Sequence, residues 1–350
     1  DAWLASQGRT AASFHPVERL CYVGIRGMGA LEFQPAMGEP SKSRHPVDIP
    51  SLLDLANRIL NQRAGLRGVF TGEDDRNAMN DILRVGTSAG GARAKAILAW
   101  NPDTNEFRSG QIDPGDGYEH WLMKFDGVSS ALDTEMSAPL GYGKIEYSYY
   151  QMARDAGIDM MPCRLHHEGG RSHFMTQRFD RTARGGKRHM QSLGALAHFD
   201  YRQPASYAYE QAIQVIRRLD LPRTDMEQLV RRAFFNVVAR NCDDHVKNIA
   251  FLMNRRGEWS LSPAFDVTYA WNPAGEWTGR HQMSINGKRD GFLRDDLMAL
   301  AAAAGIKKPR ANQMLDRTID AVRTWPERAG ANGVPEKRIH AIETAHRLDL

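Results

Sequence analysis

The chain is poor in cysteine. Its 350 residues include three, Cys21, Cys163 and Cys242, far apart and with no CxxC pair. An odd, sparse set excludes a disulfide framework and a thiolate zinc cluster, and fits a reducing, cytoplasmic compartment. Long apolar runs are missing too. None approaches the roughly 18–20 residues that span a bilayer, so no membrane role is expected. There is no internal repeat and no low-complexity segment. Neither charge sign dominates: 46 Lys and Arg face 42 Asp and Glu, a net charge of +4. That balance is compatible with an acidic partner or nucleic acid and establishes neither. The chain opens on Asp1, so the lack of a leader decides nothing about targeting. What remains is ordinary globular composition, 42% hydrophobic and 25% charged, with length for one large domain or two smaller ones.

The pattern changes along the chain. "SLLDLANRIL", 51–60, has helical amphipathicity. "CYVGIRGMGALEF", 21–33, places three glycines among apolar residues. It reads as a turn between strands in preference to a nucleotide loop. From 82 to 180 short strands dominate. "RVGTSAGGARAKAILAW" joins a glycine-rich loop to an apolar run, "NPDTNE" turns, and "HWLMKF" (120–125) is a strand carrying Lys124. "IEYSYYQMARDAGI" (145–158) is a helix, and "CRLHHEGGRSHFMTQRFD" is strand, turn, strand. After 200 helices take over. Ser206 is the expected N-cap of "SYAYEQAIQVIRRL", and Thr224 with Glu227 has capping-box spacing. Residues 294–350 suggest three more helices. The expected fold class is α+β: a mixed α/β half over 1–176, a connector at 177–181, and a mostly helical half over 182–350.

The densest chemistry is "NCDDHVKN", 241–248, followed by a hairpin pattern ending at Asp266. Asp243 and Asn248 have the D-x4-N spacing of a kinase catalytic loop. Phosphoryl transfer needs a carboxylate at the acceptor hydroxyl and, slightly further on, an amide oxygen for a metal that bridges phosphates. Asp266 supplies a second carboxylate, and magnesium takes such oxygen donors. Taken alone, D-x4-N is more often a polar helix end, and Asp244 is the rival base. Asp243 is preferred for its distance to Asn248.

The other half offers "GTSAGGARAK", 86–95, whose small residues allow backbone to approach phosphate. Lys124 on a strand and Glu146 on the next helix match the lysine–glutamate pair of kinases. Taken alone, Lys124 is equally an edge-strand solubility residue. His166 and His167 read as packing or surface residues, and "TARGGKR" (182–188) as a solvated basic loop with the option of meeting phosphates. Trp259, Tyr269 and Trp271 read as core around the hairpin.

With these parts in this order, the chain resembles the HipA family of serine/threonine kinase toxins. The residues that carry the likeness are "GTSAGGARAK", "WLMKF", "TQRFDR", "FFNVVARNCDDHVKNIAFL", "LSPAFDVTYAWNP" and "HQMSINGKRDGF". It extends over essentially the whole chain, without the small N-terminal sub-domain that the family usually has. The resemblance implies a protein-kinase-like two-lobed fold that uses ATP and magnesium. Asp243 would be the catalytic base, and Asn248 and Asp266 the metal holders. Gly90, Gly91, Ala92, Arg93, Ala94 and Lys95 would cradle phosphate, and Lys124 would contact it with Glu146 as its partner. Gln177, Arg178 and Phe179 would hold adenine, with Asp180 toward the ribose. His245, Val246, Lys247 and Phe265 would line the nucleotide, and Ser88 falls at the autophosphorylation position. Gln177 stands where the family often has Glu, and Arg93 where an uncharged residue is common. The second departure weakens the autophosphorylation reading more than the ATP reading. The resemblance also implies a HipB-like helix-turn-helix antitoxin, operator DNA bound through it, and an aminoacyl-tRNA synthetase as substrate, glutamyl-tRNA synthetase first.

Two other classes stay open at this stage. A small-molecule phosphotransferase would use the same parts, and phosphate on Ser88 would count against it. A non-catalytic DNA-binding co-repressor has no need of Asp243, Asn248, Asp266 and Lys124. A metal-dependent nuclease leaves the glycine loop and Lys124 unexplained.

Overall fold

The computed structural model describes residues 4, 8–37, 44, 46–53, 94–127 and 141–350. The chain divides into two compact units. One joins residues 1–143 with 164–188, the other 144–163 with 189–350. The lobes expected from sequence cut the chain differently. The helix over 142–155 belongs almost wholly to the second unit, and Gln177 to Asp180 belong to the first.

Among its described residues the first unit holds α1 (Pro16–Val23), preceded by a 3-10 turn at Ala11–Ser13, and the strands β1 (Lys95–Trp100), β2 (Phe107–Ser109), β3 (Glu119–Lys124), β4 (Cys163–Glu168) and β5 (Arg171–Gln177). They form one sheet in the order β2-β1-β3-β5-β4. The two-residue period of a strand sends Ala96, Leu98 and Trp100 to one face. There they meet Trp121, Met123, Phe107 and Met175 in a buried cluster closed by Ile49, Leu52 and Leu53. Register fixes the partners: Leu98 lies opposite Trp121 and Ala96 opposite Met123. The Trp100 and Trp121 rings meet edge to face at 5.9 Å, a geometry that aromatic quadrupoles favour. Each fully buried side chain of this size contributes about 1.5–3 kcal/mol. The β1–β2 turn is closed by Asn105, at φ 56°, whose side chain accepts from the Trp100 indole at 2.9 Å.

Residues 21–33 are not a turn between strands. Cys21 to Val23 complete α1, and an irregular loop follows. Pro16 at the first turn and Glu18, which accepts from the His15 N–H, start the helix.

The second unit is mostly helical. It contains α2 (Tyr142–Asp155, from Lys144 onward), α3 (Leu193–Ala197), α4 (Tyr209–Arg218), α5 (Arg223–Val238), α6 (Arg294–Ala303), α7 (Lys308–Arg323), α8 (Trp325–Ala331) and α9 (Glu336–Glu343). A small sheet of β6 (His189–Ser192), β7 (Ala250–Met253) and β8 (Trp259–Leu261) completes it. α5 is its core. Val230, Phe234, Val237 and Val238 are buried as the periodicity predicts, and so are Leu229, Ala233 and Phe235. Tyr149 ties α2 to this core. Its ring packs edge-on against Phe235 and Trp325, and its hydroxyl donates to the Ala239 carbonyl at 2.7 Å.

Three local expectations are corrected. α4 starts at Tyr209, two residues beyond the place Ser206 would cap, because the Gln211 side chain accepts from the Ala208 N–H at 2.8 Å. α5 starts after Pro222 without a side-chain cap, and Glu227 pairs instead with Arg310 at 2.8 Å. The tail holds four helices and not three, because Thr324 both ends α7 and starts α8. The expected helix over 51–60 is seen only to residue 53; the rest lies outside the described residues.

Candidate active site

The loop 241–248 leaves α5 through Arg240, at φ 56°, and enters β7. Backbone bonds hold it at both ends. Cys242 N–H donates to Ala270 O at 2.9 Å, and Asn248 N–H donates to His245 O at 2.9 Å. From below it is seated on α3: Gly194 N–H donates to Val246 O, and Leu193 N–H to Ile249 O. Glycine at 194 lets these segments pack closely. A Cβ would sit 3.1 Å from Phe199 O and 3.2 Å from the Val246 side chain.

The two adjacent carboxylates have opposite surroundings. Asp244 has a side chain 1% exposed. Its Oδ2 accepts from the Tyr209 hydroxyl and from His281 Nδ1, each at 2.9 Å, and its Oδ1 accepts from Gln282 N–H at 2.7 Å. Burial first, then the Asp244 charge, pushes the Tyr209 pKa well above its ordinary value, so its hydroxyl remains a donor. Burial pulls the His281 pKa down, but Asp244 outweighs it and carries it up to about 9. The Arg347 guanidinium, 3.2 Å from Nε2, offers only donors and opposes that second proton. Asp243, by contrast, has a side chain 50% exposed and stands 3.8 Å from His245 Nε2. A base must reach its proton, and of the two only Asp243 is accessible.

Asn248 has a defined orientation. Its amide nitrogen donates to the Asp243 carbonyl at 2.8 Å, which turns Oδ1 the other way. Asp266 sits at φ 53°, a left-handed conformation that Asp tolerates better than most residues. Its segment runs beside the loop through the parallel bridge Asn241–Ala270. Among the described residues no group of three or more His, Cys, Asp or Glu is arranged to hold a metal. An amide oxygen with a carboxylate fits a cation that takes few protein oxygens and completes its shell with phosphate and water, as magnesium does. His245 packs edge-on to Tyr201, and Lys247 lies 3.9 Å over the same ring. Val246 is buried, and Phe265 is half-buried.

In the first unit, Lys95 and Lys124 are directly opposed across β1 and β3. Like charges facing one another are unfavourable, and an anion between them relieves the repulsion. Ala94 precedes β1, buried, with its carbonyl accepting from Phe125 N–H. Gln177 ends β5 opposite Trp121, and Arg178 N–H donates to His120 O. Phe179 is half-buried. Asp180 is not a free carboxylate. Arg178 Nε donates to its Oδ1, while Arg178 Nη2, Arg181 Nη1 and Gly29 N–H converge on Oδ2. Burial works to raise its pKa, but the two arginines and Gly29 outweigh it and hold it below the usual range. Lys187 of the basic loop is not simply solvated; it pairs with Glu32 at 2.5 Å. Glu146 is buried on α2 in the second unit, whereas Lys124 lies in the first. Ser88, Gly90, Gly91, Ala92 and Arg93 lie outside the described residues.

His166 packs against Phe107 and His173, and His167 hydrogen-bonds Ser172 at 3.0 Å. Cys242 is fully buried. Tyr269 is buried, Trp259 packs on His189, and Trp271 lies under Arg240. In sequence "HQMSIN" shows no role of its own, and nothing marks Tyr209. Their joint partner Asp244 shows only once the loops are folded together.

Among the described residues no helix is long and apolar enough to cross a membrane. A family model, the HipA-like C-terminal domain, matches residues 87–325. Y4mE of Sinorhizobium fredii (strain NBRC 101917 / NGR234), which carries a provisional kinase name, is 27% identical over 190 residues. That match covers 49% of this chain and 44% of Y4mE, so the chain matches less than half the length of this curated relative. Among solved structures, the HipA toxin–antitoxin complex of Shewanella oneidensis MR-1, with HipB and operator DNA, superposes at TM-score 0.66. The identity is 15%, with 98% of this chain and 80% of that one covered. The likeness gives the fold, α+β and protein-kinase-like.

Proposed function

Since the chain belongs to the HipA-like C-terminal domain family, we propose that it is an ATP- and magnesium-dependent serine/threonine protein kinase acting as a HipA-like toxin. The observation that carries this is the split between neighbours in loop 241–248. Asp244 is consumed by three donors, while Asp243 stays half exposed beside an Asn248 whose amide is pinned. A general base needs a carboxylate that its substrate can reach, held on a fixed loop, and this pair of neighbours supplies both.

Asp243 orients the acceptor hydroxyl and takes its proton as the phosphoryl group transfers. Asn248 and Asp266 would hold magnesium, which when bound neutralises charge on the phosphates. Lys95 and Lys124 offer two ammonium charges to phosphate. Adenine rests on backbone of Gln177 to Phe179. Asp180, with its oxygens occupied, holds that segment and is not assigned to the ribose. Ser88 would be the autophosphorylated residue. The partner is a HipB-like helix-turn-helix antitoxin that brings operator DNA, and the substrate is a component of translation, with glutamyl-tRNA synthetase the first to try. The neighbour solved with HipB and operator DNA supports the partner reading.

The test is phosphate mapping by mass spectrometry after incubation with ATP and magnesium, beside Asp243→Ala. A general base of this kind contributes about 10²–10⁴-fold. Phosphate on Ser88 or on the synthetase, lost in the folded variant, supports the reading. Magnesium–ATP binding without protein phosphorylation would turn it toward a small-molecule acceptor. No nucleotide binding at all would sink it.

A further inference from the structure

Asp244 is buried one residue from the proposed base, and its three donors come from distant parts of the second unit. Tyr209 is the first residue of α4, and His281 and Gln282 belong to the loop before α6. The chain of bonds continues. Asn236 of α5 donates to the Tyr209 hydroxyl at 3.0 Å, and its own carbonyl oxygen accepts from the Asn241 amide at 2.9 Å. Asn241 opens the loop that carries Asp243. Beyond His281, Arg347 touches Nε2. One network therefore grips the loop at 241 and at 244, on both sides of Asp243.

The chemistry of the donors suits this task. Both donors to Oδ2 are rings on short stems, with few rotamers to lose, and the Gln282 donor is backbone. A carboxylate gripped from three directions cannot rotate, and its Cα, which shares one planar peptide unit with the Asp243 carbonyl, is fixed with it. Fold cohesion alone would be served more cheaply by an apolar residue, since a buried charge must be solvated by the protein.

We propose that Asp244, Tyr209 and His281 are positioning residues that hold Asp243 in register with the acceptor hydroxyl, a role that rests on the kinase reading above. They act through the loop and touch neither nucleotide nor acceptor.

The experiment uses the full chain, with phosphoryl transfer normalised to magnesium–nucleotide binding sites so that unfolded protein does not count. Asp244→Asn keeps the shape and removes the charge. Its kcat per site is expected to fall about 10²-fold, the scale of a 1 Å misplacement, while KM for ATP moves less than about threefold. If Asp244→Asn fails to fold, Tyr209→Phe removes a single hydroxyl and is expected to cost about tenfold in kcat. His281→Asn, whose amide N–H can replace Nδ1–H, should recover most of the activity that His281→Leu loses. Within one network the Asp244→Asn/Tyr209→Phe double variant should be no worse than Asp244→Asn alone. A merely structural role lowers the melting temperature and the number of sites but leaves kcat per site unchanged, and that result overturns the proposal. An inactive wild type, equal to Asp243→Ala, overturns the kinase reading and this proposal together. An active wild type with an equally active Asp244→Asn overturns this proposal alone.

Discussion

The segment around Asp180 in the first unit and the loop around Asp243 in the second use acidic residues in opposite ways. At Asp180 both oxygens are met by Arg178, Arg181 and Gly29, and the carboxylate is 1% exposed. In the loop, the work of holding and the capacity to react are split between neighbours: Asp244 is gripped and Asp243 is accessible. A carboxylate can anchor a fold or offer a lone pair to a substrate, and burial separates the two roles where residue type does not: Asp244 and Asp180 are 1% exposed and Asp243 is 50% exposed.

The comparison can be broken most directly at Asp180. Asp180→Ala leaves two arginines in a site built for a carboxylate, and loss of one partner of a buried pair costs about 3–5 kcal/mol. Urea unfolding measures it; a cost under about 1 kcal/mol, with weakened ATP binding, would make Asp180 a ligand residue after all. Within the proposed kinase site, Lys124→Met removes an ammonium that faces Lys95 across β1 and β3 and would contact phosphate. ATP affinity should fall roughly tenfold, about 1.4 kcal/mol. Equal ATP binding in calorimetry would refute it.

Buried histidines sharpen the same contrast through pH. Burial, and Arg240 next, lower His346 to about 3. Burial, and His166 next, lower His173 to about 4. In the unfolded chain each binds a proton near pH 6.5. Their contribution is therefore present above pH 6.5 and is lost as pH falls toward 4 and 3, at up to about 1.4 kcal/mol per pH unit for each histidine. His346→Phe should flatten the slope of stability between pH 6 and 4 by about that amount in pH-resolved unfolding; an unchanged slope would show that the ring is already protonated in the fold. The smallest effect is expected at Glu227, whose partners Arg310 and Arg223 are partly exposed. Glu227→Gln should cost no more than about 1 kcal/mol. A larger loss would restore a capping role at the start of α5.

Much of this was legible in sequence. The strands of the first unit announce themselves by apolar alternation, and D-x4-N spacing singles out Asp243, the more exposed of the two neighbouring carboxylates. The anchors were not legible. The partner of Asp180 at Gly29 lies 151 residues away, and His281 lies 37 from Asp244. No local pattern encodes such distances. The missed helix starts share another cause: at Ala208 and Pro222 the residue before the helix offers no capping side chain, so propensity pointed to nearby Ser and Thr. The tail was miscounted because Thr324 serves two helices, and apolar periodicity runs on through a one-residue junction.

The path of the chain has a consequence for anyone dividing the gene. The polypeptide passes from one unit to the other after residues 143, 163 and 188. A cut at 176–182 would leave the 182–350 piece without α2. Phe235 and Trp325 would lose Tyr149, and Ala239 its hydroxyl donor. A chain that begins at 144 keeps α2 but carries β4 and β5 with it, and the helical unit without those strands needs 144–163 joined directly to 189–350.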